Sequence, residues 1–344
     1  MRSRNIFTAA AVGVALIAGT VGIAAAGTSP TASTVDARQS HTTVVGVHNA
    51  YQKATFPFFA DALDSGAGLI EVDIWADVWA RRWRVNHELV GQDNNCTSGG
   101  LRTGNRNQDF AACLSNMKVW HDANPNHRPI VIKVELKAGF DSRYGLGPAE
   151  FDRLIAAKLG NAVYRPADLL GSYPTLDAAA LADNWATRSA LAGKFIFEVI
   201  PGTVERQNPF DHFWADTEYA QYLRDLAAAG KIGSAQAFPA VLDAAAGDPR
   251  TRYPDQTIRP WFVFFDGSAT AYVGGGIDPA WYDGRHYYLI MTDAGSVAPP
   301  IDAFKPTPEQ ASARVAELAK AHASAATADW STLPSVLATV QPRG

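Results

Sequence analysis

Cysteine is almost absent from this chain: Cys96 and Cys113 are the only two among 344 residues. No C-x-x-C pair occurs, which removes zinc-ribbon and dithiol redox chemistry. Positive charge is not in excess either. The formal net charge is −4, which offers no general attraction for nucleic acid or an anionic membrane surface. Beyond residue 26 no apolar run reaches the roughly 18–20 residues of a membrane span. Past residue 42 there is no low-complexity linker, and no short internal repeat is found. The length then fits one large domain or two small ones. Nothing implies a protein partner, and a monomer is expected.

The amino terminus reads as an export signal. Arg2 and Arg4 precede an apolar stretch from Ile6 to Ile23, and Ala24-Ala25-Ala26 offers an A-x-A cleavage site. An uncleaved membrane anchor is the alternative. Residues 1–26 are expected to be removed and the protein secreted. Residues 27–42, small and polar, read as a flexible lead-in. The two arginines of the signal contribute +2, so the remainder carries −6. In an exported protein a lone cysteine pair usually forms one disulfide, so Cys96–Cys113 is expected, with two unpaired thiols as the alternative. Asn95-Cys96-Thr97 also matches a glycosylation sequon.

Strand-like runs recur at 43–48, 68–76, 83–87, 129–137, 194–200, 234–238, 260–266, 286–292 and 323–328. Several, such as KFIFEVI and RPWFVFFDG, are apolar almost throughout, as in strands covered on both faces. Helical patterns at 57–68, 149–160, 175–193, 216–230 and 307–323 separate many of them. This alternation predicts an α/β fold, a single TIM (β/α)₈ barrel over residues 43–344. Nine candidates compete for eight places. The expected extra is 260–266 or 286–292, because the glycine-rich AYVGGGIDPAWYDG joins them without a helix.

The chemistry concentrates between residues 48 and 135. Glu71 and Asp73 lie two apart in a strand, so both face one side while Ile70, Val72 and Ile74 face the other. Two carboxylates inside a barrel are costly unless a cation or basic side chains offset them. Glu135 shares a face with Lys133 and Lys137 on the run IVIKVELK. With the amide of Asn49, these acids make an all-oxygen set suited to Ca²⁺, with Mg²⁺ the stricter alternative. His48 and His87 fall beside this set, and imidazoles suit proton transfer near neutral pH. The composition is that of a metal-assisted phosphodiesterase site.

The series H-N-x-Y at residue 48, E-x-D-x-W at 71, an isolated His at 87 and V-E-L-K at 134 resembles the Ca²⁺-dependent phosphoinositide phospholipases C. The motif-bearing match covers about residues 43–137. AHASAATADWSTLP and DNNCTS are similar to segments of the secreted bacterial members. The resemblance implies a phosphodiesterase-type barrel, catalytic roles for His48 and His87, and metal ligands Asn49, Glu71, Asp73 and Glu135. It implies cleavage of membrane phosphatidylinositol to diacylglycerol and a cyclic inositol phosphate, with transient contact at the lipid surface.

The second half carries no matching inositol motif. Glu198, Asp266 and Tyr272 near strand ends, with Lys133 and Lys137, are the candidate substrate contacts. Two other readings share the barrel. Glycerophosphodiester phosphodiesterases usually show His-Arg-Gly where this chain has His48-Asn49-Ala50, and sphingomyelinases D lack the Asn neighbour. A non-catalytic lipid- or carbohydrate-binding barrel is a third reading, but it needs no acid–base pair.

Overall fold

The computed structural model describes residue 34 and residues 36–344, apart from residue 212. The expected signal segment, residues 1–26, lies outside the described residues. So does half of the lead-in. Its last part is ordered: Gln39–His41 form a 3₁₀ turn, Gln39 and Ser40 are buried, and Thr42 already belongs to the first strand.

Among the described residues ten strands form one sheet. They are β1 (Thr42–Val47), β2 (Leu69–Asp77), β3 (Arg82–Val85), β4 (Ile130–Leu136), β5 (Phe195–Pro201), β6 (Ala237–Leu242), β7 (Phe264–Ser268), β8 (Tyr288–Thr292), β9 (Ala325–Ala328) and β10 (Val340–Pro342). Eight of these run parallel in the order β1, β2, β4, β5, β6, β7, β8, β9. The sheet closes because β1 pairs with both β2 and β9. The expected TIM barrel is present. Its strands are the apolar runs of the sequence, and β1, β4 and β5 are buried nearly throughout, as a sheet wrapped by helices requires. The longer helices carry the expected end signals. Pro308–Lys320 opens with Thr307 accepting from the Gln310 backbone at 3.2 Å while the Gln310 side chain accepts from the Thr307 N–H at 2.9 Å.

The extra strand is neither of the two expected. Runs 260–266 and 286–292 become the parallel barrel neighbours β7 and β8, joined through two short helices, Ala269–Tyr272 and Ala280–Asp283. The strand outside the barrel is β3, which pairs antiparallel with β2 from Ile74↔Val85 to Asp77↔Arg82. Only residues 78–81 lie between them. A parallel crossover needs about a dozen residues, whereas a hairpin needs very few. Asp77 accepts from the Ala80 N–H at 3.1 Å, and Arg81 takes the left-handed conformation that closes the turn. A helix, Phe110–Ala123, and the short β10 against β1 were not foreseen. The pattern at 175–193 gives a helix only over Leu176–Leu181.

The N-terminal end of the barrel is filled with rings. Phe238, Phe264 and Tyr288, each at or next to the first residue of its strand, pack on Trp185 with centroid separations of 5.8–6.3 Å, and Phe264 packs on the other two at 4.9–5.1 Å. Trp185 is fully buried and donates to the His286 carbonyl at 2.7 Å. The C-terminal end is polar. Among the described residues no helix is long and apolar enough to cross a membrane.

Cys96 and Cys113 are bonded, with Cα atoms 5.0 Å apart. The bond ties the loop after β3 to Phe110–Ala123. Asn95 is fully buried and donates to Ala50 and Phe56 carbonyls, so the sequon match cannot carry a glycan in the folded protein. Closing a loop of this size contributes roughly 3 kcal/mol. The Cys96→Ala/Cys113→Ala protein should lose about that much in denaturant unfolding. An unchanged midpoint would show that the bond does not support this loop.

Candidate active site

Parallel pairing places Glu71 beside Lys133, Asp73 beside Glu135, and Lys133 beside Glu198 on neighbouring strands. Paired residues face the same way, so these charges enter the barrel together. Lys133 is buried and sits 2.7 Å from Asp266 on β7 and 3.5 Å from Glu71. Its ammonium is desolvated, yet these anions keep its pKa raised. Lys137 lies 2.9 Å from Glu135 and 3.2 Å from Asp73.

One oxygen from each of Glu71, Asp73 and Glu135 falls within 4.8 Å of the others. The three acids differ in state. Burial opposes charge on Glu71, but Lys133, His48 and the Asn49 N–H at 3.0 Å hold its carboxyl below the usual range. Burial and repulsion from Glu71 and Glu135 push Asp73 up to about 8, against Lys137 and the Tyr51 hydroxyl at 2.9 Å. Glu135 accepts from the Thr203 N–H at 3.0 Å. Gly202 permits that approach, since a Cβ there would meet the Lys137 Cα at 2.3 Å.

A divalent cation fits this set. Asn49 Oδ1 and Asp73 Oδ1 are both buried and have no hydrogen-bond partner. Asn49 takes a left-handed φ of 53°, and its N–H is already given to Glu71. Two bare oxygens beside crowded carboxylates are what a hard cation relieves.

His48, at the end of β1, is half-exposed. Its Nδ1 is 3.0 Å from Asp329 and its Nε2 3.3 Å from Glu71. Burial disfavours its charge, but the Asp329 hydrogen bond and the Glu71 charge raise its pKa to about 9. His87 does not end a parallel barrel strand as expected, and it is not among the residues that line the cleft over this set. The β2–β3 hairpin climbs above the barrel and returns, and the Asn86 N–H meets the Asp73 carbonyl at 3.3 Å. The His87 Nδ1 pairs with Glu88 at 2.7 Å, turned to its own neighbour rather than to the carboxylate set.

An open cleft of about 410 Å³ lies over the set. Glu71, Lys133, Glu135, His48 and Asp266 line it, with Thr203, Arg206, Asp243, Asp293 and Asp329. Two candidate contacts lie elsewhere. Glu198 is fully buried below the cleft with neither carboxylate oxygen hydrogen-bonded. Tyr272 packs on Tyr282 behind Gly267. Glu198 is the middle residue of β5 rather than near its end, and it lies under the mouth; Tyr272 ends the short helix after β7 and lies behind the wall. Lys137 is held behind the carboxylates rather than at the cleft. Asp329, Arg206 and Asp243 were missed. Asp329 follows the AATA of β9 directly, and an acid just past a barrel strand was the available signal.

Fold and site together define a class: a TIM barrel whose C-terminal mouth gathers carboxylates for a divalent cation beside an imidazole. A family model, phosphoinositide phospholipase C, Ca²⁺-dependent, matches residues 101–219. A Ca²⁺-dependent phosphatidylinositol-specific phospholipase C from Streptomyces antibioticus is 58% identical, with a TM-score of 0.87, covering 89% of this chain and 99% of that one. A calcium-dependent phosphoinositol-specific phospholipase C from a Gram-negative Pseudomonas species shares the fold at 18% identity. Its TM-score is 0.69, and the match covers 90% of this chain and 96% of that one. No curated protein matches. The chain belongs to the Ca²⁺-dependent phosphatidylinositol-specific phospholipase C family.

Burial, then the Asp266 charge, raises the Glu198 pKa well above its ordinary 4.5. The folded protein therefore binds a proton that the unfolded chain releases above that pH, so stability falls as pH rises through this window. Glu198→Gln keeps the shape and removes the penalty. The variant should melt higher than the parent, and its advantage should grow from about pH 5 to about pH 8. Equal advantage at both would refute this titration.

Proposed function

We propose that this chain is a secreted phospholipase C that cleaves phosphatidylinositol to diacylglycerol and a cyclic inositol phosphate. The observation that carries the reading is the convergence of Glu71, Asp73 and Glu135 beside His48 at the barrel mouth. Secretion rests on the signal pattern of residues 1–26.

Asn49, Glu71, Asp73 and Glu135 would hold Ca²⁺. A bound divalent ion supplies Lewis acidity, which lowers a hydroxyl pKa and screens phosphoryl charge. The inositol 2-hydroxyl attacks the adjacent phosphorus and gives its proton to a cleft-lining carboxylate, Glu71 or Glu135. His48, oriented by Asp329 and favoured as imidazolium, donates to a phosphoryl oxygen. His87 gives a proton to the departing diacylglycerol oxygen. With Nδ1 engaged by Glu88, Nε2 is the nitrogen for that transfer. Lys133 keeps Glu71 ionised and in place.

The rim suits contact with lipid. Trp79 in the β2–β3 turn is 96% exposed and Phe210 after β5 is 91% exposed, with Leu89, Val90, Val204 and Phe213 also exposed. Trp79, Val204, Phe210 and Phe213 follow the C-terminal ends of the barrel strands β2 and β5, on the side of the cleft. Amphipathic rings at such a rim lower the cost of reaching a headgroup in a bilayer.

Turnover of phosphatidylinositol vesicles should release diacylglycerol and cyclic inositol phosphate, stop in chelator, and return with Ca²⁺. Asp73→Asn should raise the Ca²⁺ needed for half-activity by at least roughly 10–100-fold, the range for loss of even an outer partner of a metal site. Glycerol phosphate as the product, full turnover in chelator, or coincident Ca²⁺ curves would each defeat part of this reading.

The division between the histidines has its own signature. His87→Ala should lose roughly 10²–10⁴-fold on the natural lipid, the worth of positioned acid catalysis. On a nitrophenyl inositol phosphate, whose leaving group needs no proton, the loss should be much smaller. His48→Ala should impair both substrates. A reversed pattern would exchange the roles.

A further inference from the structure

At the opposite end of the barrel three connections bring together His41, Asp183 and His286. His41 ends the 3₁₀ turn before β1, Asp183 follows the helix Leu176–Leu181, and His286 precedes β8. Asp183 and His286 both take left-handed φ angles, 51° and 56°. Each occupies a helix-ending position that glycine commonly fills, and here each carries a metal-binding side chain instead.

The geometry is close to that of a coordination shell. His41 Nε2 is 3.1 Å from Asp183 Oδ2, and His286 Nδ1 is 3.8 Å from Asp183 Oδ1. One ligand atom of each residue lies within 4.8 Å of the other two. The imidazole rings stack at 5.3 Å with planes 27° apart. Ligands about 2.0–2.1 Å from a tetrahedral zinc sit roughly 3.3 Å from one another, so small side-chain rotations would close this set around an ion. All three side chains are partly exposed, which leaves room for water as a fourth ligand.

The surroundings select the kind of ion. Ser40 donates to Asp183 Oδ1 at 3.0 Å and Arg38 lies 3.1 Å from Oδ2. These donors fix the carboxylate and offset its charge. A hard cation that depends on anionic oxygen gains little here, whereas two imidazoles suit a borderline metal. The residues share nothing with the carboxylates at the mouth.

We propose that His41, Asp183 and His286 form a zinc-class transition-metal site on the N-terminal face of the barrel. The bound ion pins the segment before β1 to the connections preceding β5 and β8. Its role is to hold the barrel floor, and it takes no part in hydrolysis.

The test uses chelator-stripped mature protein, with Ca²⁺ then supplied to the mouth. Calorimetric titration with Zn²⁺ should show one site that is lost in His41→Ala and in His286→Ala. At free Zn²⁺ about 100-fold above Kd, the melting temperature of the parent should rise by roughly 3–6 °C, and that of the variants should not. Ca²⁺ and Mg²⁺ should not compete. Phosphatidylinositol turnover at saturating Ca²⁺ should be the same in parent and variants. Co²⁺ in place of Zn²⁺ should give a visible absorption band in the parent that His286→Ala abolishes, which reads the ligand even if that variant melts lower. Zinc binding that survives in both histidine variants, or no zinc site in the parent, would overturn the proposal.

Discussion

Lys133 and Lys137 carry two ammonium groups into the barrel, and the arrangement of the mouth depends on them. Lys133 spans from Glu71 on β2 to Asp266 on β7, and Lys137 holds Asp73 and Glu135. Without these cations the carboxylates would take up protons or turn outward, because burying unpaired charge costs several kcal/mol per ion. Even with them, Asp73 is pushed up to about 8. The interior is therefore held close to balance, short of one further positive charge at the mouth. A cation-binding site is the complement of that shortfall.

The rest of the molecule supports this layer from two sides. Below it, Trp185 and the rings of Phe238, Phe264 and Tyr288 fill the barrel and keep water from the buried ion pairs. Low water access strengthens the pairing of Lys133 with Asp266 and raises the cost of breaking it. Above it, the chain leaves the barrel in connections that carry the remaining chemistry. Asp329 fixes His48, and Thr203 fixes Glu135 through the close approach at Gly202. The same connections expose Trp79 and Phe210 around the cleft, so the polar site and the apolar rim share one face.

Much of this was legible in the chain. The apolar runs gave the barrel strands, and period-two spacing put Glu71 and Asp73 on one face with Ile70, Val72 and Ile74 on the other. Lys133 and Glu135 followed by the same rule. The hairpin was also legible, since residues 78–81 are too few for a parallel crossover. Asp329 lies in the AHASAATADWSTLP segment, but one acid after a short alanine-rich strand has no local pattern to mark it.

What the sequence determined by itself is set by short-range rules: which residues alternate, which runs are buried on both faces, where helices begin and stop, and which side chains can bind oxygen-loving cations or carry protons. What only the tertiary structure decided depends on partners far apart in the chain. Asp266 meets Lys133, Asp329 meets His48, and Glu198, expected as a substrate contact, lies in the core without a hydrogen-bonding partner. His41, Asp183 and His286 come together only when the barrel closes. Periodicity fixes the face on which a side chain lies. Closure of the barrel fixes which strand it meets across the interior, and that contact sets its charge.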